Sequence, residues 1–451
     1  MKKLAVIFCT SLLLFSCSDK DKDYDKSKAF SVFAAIDPIK VDESLAKTEI
    51  ILPKQQNSDF WTGSASAQNQ LVENFTKDFS IIESGFFFKK TKEISLSKSS
   101  PVWFFYSGEA REHFVFLPII RDEKVVVLDS AGVLSSYDLT SEKKIWKSQI
   151  FEKSFLKNYR TPRISYADGK IFAISGINRI AAASEVDGEV LWSKEISSIP
   201  ISSPVSDGKL VYVSTNDNKT YAFDANSGDL AWVQSGIGRA TAILGVADPV
   251  IFDDYLVVSY SSGEIYALKK QTGDAVWSQD LNISKATSSD FYLNDIDATP
   301  LVKDGIVYAI GNGGLTAAIR LKDGNFLWKK QIAGIVDFWA AGEFLFMIEN
   351  SDKLLAVSKK TGGIKWISQL PELKKPGKPQ TKIFYSGLVM AGDKLLISRA
   401  DGQLLIASPF DGKIEKTFEI NKKISHSPVV VNGKIYLHSI GKYTIDLIEI
   451  Q

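Results

Sequence analysis

The chain has 451 residues, 45% of them hydrophobic and 24% charged, enough apolar sequence for one large repeat domain or two or three ordinary ones. Lys and Arg total 54 against 53 Asp and Glu. A net charge of +1 argues against a general nucleic-acid binder, which needs a basic surface to neutralise phosphates.

The first element is MKKLAVIFCTSLLLFSCS: Lys2 and Lys3, an apolar run from Leu4 to Phe15, then Ser16-Cys17. A positive start and a short apolar core predict an export signal over residues 1–16. The run is too short for an ordinary membrane-spanning helix. Leu14-Phe15-Ser16-Cys17 resembles a bacterial lipobox, which implies that Cys17 is lipidated and becomes the first mature residue. Ser18, rather than Asp, follows it, and by the lipoprotein sorting rule this implies the outer membrane. The only other cysteine is Cys9, inside the signal, so the mature chain is expected to form no disulfide and no thiolate metal site.

Residues 17–57 are read as the lipidated Cys and a polar tether, because SDKDKDYDKSK at 18–28 cannot bury apolar surface. Residues 58–94 are an N-terminal extension; FWTGSASAQNQ at 60–70 suggests an extended arm.

From residue 95 onward one pattern repeats. A Trp follows a Gly or an equivalent turn at Trp146, Trp192, Trp232, Trp277, Trp328 and Trp366, at intervals of 38 to 51 residues, and DGKIEK places Lys416 in the same slot. SPV, DPV or TPL opens each unit; DGKLVYVS-like and NKTYAFD-like strands follow with period-two alternation. This spacing predicts four-stranded propeller blades. The last unit, ending KIYLHSIGKYTIDLIEIQ, has three strands and no Trp strand, while SSPVWFFYSG with Trp103 lies upstream of the first unit. The expectation is an all-β, eight-bladed propeller over residues 95–451, closed by an N-terminal strand around Trp103 joining the C-terminal three, which removes a free edge. The Trp side chains are expected to pack between blades. His113, His426 and His438 are expected as packed residues, and the basic stretch 370–382 as a solvated loop.

The repeat resembles that of the pyrroloquinoline-quinone dehydrogenases, which fixes a fold and not an activity. The vicinal disulfide common in those enzymes has no cysteines to form it here, and no Asp, Asn and Glu set matches their Ca²⁺ site; no cofactor, no metal and no catalytic residue are expected. Lipobox, tether and propeller together resemble the BamB family. VWFFYSGE at 102–109, TAILGVADPVI from Thr241 and LNDIDATPLVKDGIVYAIGNGGLTAAIRLKDGNFLW from Leu293 carry the local matches. The resemblance implies a non-enzymatic scaffold of the outer-membrane β-barrel assembly (BAM) complex, in the periplasm and lipid-anchored through Cys17. It implies docking on BamA through Leu293, Asp295 and Asp297 in one loop and Ile243, Leu244 and Gly245 in its neighbour. Where well-known members carry Arg, this chain has Leu244; Arg239 stands five residues earlier. Asp295 and Asp297 could equally cap turn amides ahead of Thr299-Pro300. Unfolded outer-membrane proteins could be held by strand addition. The rival readings are a quinone-dependent dehydrogenase-like enzyme and a ligand-sensing periplasmic propeller.

Overall fold

The computed structural model describes residues 39–63, 69–79, 91–98 and 118–450, apart from 130–131, 153–161, 176, 238–246, 283–294, 372–383, 421–422, 425 and 441–443. Cys17 and Trp103 lie outside the described residues.

Strand-forming residues dominate from 118 onward, and they form eight antiparallel sheets. Blades 1 to 7 take their four strands in chain order from residues 119–149, 163–195, 205–235, 250–280, 301–330, 339–369 and 385–419. Blade 8 combines Val429–Val431, Lys434–Ile440 and Thr444–Ile450 with the upstream strand Thr91–Lys98, which pairs antiparallel with Thr444–Ile450. Closure by an N-terminal strand is therefore present, and the strand that provides it is Thr91–Lys98, upstream of the expected stretch around Trp103, which lies outside the described residues. The physical reason lies in the pattern. Every outer strand of blades 1 to 7 ends in polar or charged residues, as TKEISLSK does, whereas PVWFFY is continuously apolar.

Burial follows position within a blade. Second and third strands are covered on both faces by neighbouring blades, so Leu210–Ser214 is buried throughout and reads as a near-continuous apolar run. Outer strands alternate, as in Lys144–Gln149. Four of the eight sharp first turns are Asp-Gly or Asn-Gly, and the others use Asp, Glu or Gly at positive φ; Asp168 and Gly169 have φ of 49° and 73°, the two positive values a type I′ hairpin requires.

One contact repeats between blades. Each slot Trp donates its indole N–H to a carbonyl of the next blade: Trp192 to Ala225 at 3.1 Å, Trp277 to Leu321 at 2.6 Å, Trp366 to Pro409 at 3.0 Å. The turn Gly of that next blade lies on the ring. Gly228, at φ +72°, would place a Cβ 2.6 Å from the Trp192 ring, so no larger residue fits without displacement. Blade 8 escapes this rule on both sides. Its third and outer strands come from opposite ends of the chain, so it has no turn to lie over blade 7, and blade 7 carries Lys416 in the slot. The strand Thr91–Lys98 contains no Trp, and the Gly position of blade 1 is filled by Glu142 at φ 60°.

Residues 39–79 span that unstapled region. Phe60–Trp61 adds a fifth strand to blade 1 beside Ile119–Arg121. Asn432 N–H of blade 8 donates to Ser58 O at 2.7 Å. Phe75 exchanges backbone hydrogen bonds with Met390 and Gly392 of blade 7, and the Trp339 indole of blade 6 donates to Glu73 O at 2.6 Å. Trp61, Phe75 and Trp339 pack in series, with centroids 6.0 and 5.8 Å apart. The arm packs on the propeller from its start, where Asp42 N–H donates to Ile364 O.

Candidate functional site

Antiparallel connectivity sorts the loops. Blade-to-blade connectors and second-to-third strand turns share one end of the strands; the arm's contacts at Gly342, Gly392 and Asn432 are with turns at the other end. Both loops implicated by sequence are connectors, joining blade 3 to blade 4 and blade 4 to blade 5.

Asp295 is 2% exposed. Its Oδ1 accepts from Asn312 Nδ2 at 3.1 Å, and its carbonyl accepts from Asn312 N–H at 2.9 Å. Asn312 belongs to a turn of blade 5 and accepts in turn from Asn350 Nδ2 of blade 6 at 3.0 Å. Asp295 Oδ2 is buried without a hydrogen-bond partner. Ile296, 1% exposed, pins the loop into the core between blades 4 and 5, and Asp297 is half-buried. A charge held in so little water is worth more to a partner that reaches it than one on an open rim. Leu293, Ile243, Leu244, Gly245 and Arg239 lie outside the described residues.

The stems of the two loops are joined. Asp248 N–H donates to Thr299 Oγ1 at 3.2 Å, and Thr299 N–H donates to Asp337 Oδ1 of the next connector at 2.8 Å. Asp248 Oδ1 accepts from Ser203 N–H at 2.6 Å and pairs with Arg163 Nη1 at 3.2 Å. Burial pushes the Arg163 guanidinium down, and Asp248 and Asp337 oppose it by their charge. Sequence reasoning passed over this chain. Its signal was the short polar residue before Pro in SPV, DPV and TPL: the residue before Pro is held extended, where its side chain meets the neighbouring blade's backbone.

His426 and His438 are both buried, with ring centroids 5.3 Å apart, as packed residues. Burial pushes His438 down to about 4. Among the described residues no group of three His, Cys, Asp or Glu is arranged to hold a metal ion, and no helix is long and apolar enough to cross a membrane.

Comparison with known proteins gives a consistent result. The sequence profile described as outer membrane protein assembly factor BamB matches residues 110–368, more than half of the chain. The outer membrane protein assembly factor BamB of Yersinia pestis is 26% identical over 359 residues, covering 78% of this chain and 87% of the relative. The crystal structure of BamB from Moraxella catarrhalis superposes with a TM-score of 0.65 at 18% identity, covering 80% of this chain and 99% of that one. A europium-containing methanol dehydrogenase shares the fold at a TM-score of 0.56 and 12% identity, with 84% and 89% covered.

Proposed function

This chain belongs to the outer membrane protein assembly factor BamB family, and from that premise we propose that it is a non-enzymatic scaffold subunit of the outer-membrane β-barrel assembly complex. The observation that carries the reading is the family match over residues 110–368, which contains both connectors whose stems meet at Asp248 and Thr299. The connectors dock on BamA: Asp295 and Asp297 with Leu293 from one, Ile243, Leu244 and Gly245 from the other. Cys17 carries the lipid that holds the propeller at the periplasmic face of the outer membrane.

Client segments add to an outer strand edge by main-chain hydrogen bonding. The edge best suited is Leu230–Ser235 of blade 3. Every other outer strand carries at least one charged residue, which discourages strand addition; LAWVQS carries none and exposes Leu230 and Val233 at 55% and 42%. The shared fold with quinone dehydrogenases transfers no chemistry to this chain.

Asp295→Asn with Asp297→Asn tests the docking reading, because Asn keeps the acceptor for Asn312 and removes the charges. BamA binding by calorimetry should weaken tenfold or more with an unchanged melting curve, and Lys416→Ala should bind normally. Undiminished binding by the folded double variant would return both carboxylates to a turn-capping role.

A further inference from the structure

We propose that Arg163 is a positioning residue: from blade 2 it ties down the stems of the blade 3–4 and blade 4–5 connectors, through Asp248. The inference deepens the docking reading above and rests on it for its functional consequence.

Arg163 opens the innermost strand of blade 2, and Asp248 lies two residues before that of blade 4. The pair therefore skips blade 3, while the hydrogen bonds from Ser203 to Asp248 and from Asp248 to Thr299 link adjacent blades. Side-chain exposures of 10% and 6% put the pair out of water, where a 3.2 Å ion pair is weakly screened. Only Nη1 of the guanidinium bonds to Asp248; Nε is buried without a hydrogen-bond partner. The side chain is thus placed by charge more than by a two-pronged fit, and Asp337 lies near enough to act on the same charge. Asp337 in turn accepts the Thr299 N–H. One cation therefore acts on both carboxylates that receive the stem amides. Without it those carboxylates repel each other, and the amides of Ser203 and Thr299 lose fixed acceptors. The sequence distance is short: Asp248 is three residues beyond Gly245, and Thr299 two beyond Asp297.

Removing Arg163 alone strands a buried carboxylate and endangers folding. The test therefore uses Arg163→Met with Asp248→Asn in the full chain, which removes both charges and keeps an acceptor for Ser203 N–H. Hydrogen exchange is followed in peptides covering residues 203–206, 247–250 and 298–303, with BamA binding measured on the same samples. Stem protection is expected to fall at least tenfold while blades 6 and 7 keep theirs, and BamA affinity is expected to fall about tenfold. Arg163→Lys, which keeps the charge, should retain most of both. Unchanged stem exchange in the folded double variant overturns the inference, as does equal loss in Arg163→Lys. Lost stem protection with undiminished BamA binding upholds the tie and refutes the docking reading instead.

Discussion

Phe75→Ala tests whether the arm of residues 39–79 clasps the ring where the Trp contacts stop. Phe75 is 1% exposed and lies between Trp61 and Trp339, at 6.0 and 5.8 Å. Deleting a buried Phe ring costs about 3–5 kcal/mol, of which two aromatic contacts contribute about 0.5–1.5 kcal/mol each. The backbone bonds of Phe75 to Met390 and Gly392 use no side-chain atoms and survive the substitution. The loss should therefore appear as a loosened arm, not an unfolded blade 7. Chemical denaturation should show a lower midpoint, and hydrogen exchange should rise first at Val429–Val431 and Tyr385–Ala391, which the arm touches. Blades 3 and 4, joined by the Trp232 contact to Lys270, should keep their protection. A destabilisation below about 1 kcal/mol, or exchange rising equally in every blade, would refute the clasp.

Gly228→Ala should cost about 1–2 kcal/mol for its left-handed backbone and about 1–3 kcal/mol more for displacing Trp192, whereas Gly169→Ala, with the same conformation and open space, should show only the first part in thermal melts. His438 is held neutral, its folded pKa of about 4 lying below the unfolded value near 6.5. The unfolded chain therefore binds the proton first, and stability should fall by about 3 kcal/mol as pH drops from 6.5 to 4, then level off. His438→Gln should flatten that window of the stability profile, and an unaltered slope would exclude His438 as its source. Cys17→Ala should move the protein from the membrane to the soluble fraction, and a variant still sedimenting with outer membranes would remove the lipid-anchor proposal. Val233→Lys should weaken capture of an outer-membrane-protein strand peptide while leaving BamA pull-down intact; unaltered capture would exclude that edge.

The sequence by itself determined the blade. A strand needs period two, a tight turn needs residues that accept positive φ, mostly Asp, Asn and Gly, and an inter-blade Trp needs a Gly above it; these are local requirements that recur in most copies. That repetition made the eight units, the Trp role and the split last blade legible in advance. The strand that completes blade 8 was misplaced because Trp103 matched the repeat better than TKEISLSK did. The slot Trp is required only under a neighbouring blade's turn, and blade 1 presents Glu142 there. At the candidate site the sequence located the connectors, and folding decided what their residues do. Asp295, one of two similar carboxylates in the sequence, proves 2% exposed and bound to Asn312 seventeen residues on. Arg163 and Asp248 stand 85 residues apart with a whole blade between them. No local pattern encodes such a pair, because its energy comes from burial and closeness that exist only once the innermost strands of several blades converge on one axis.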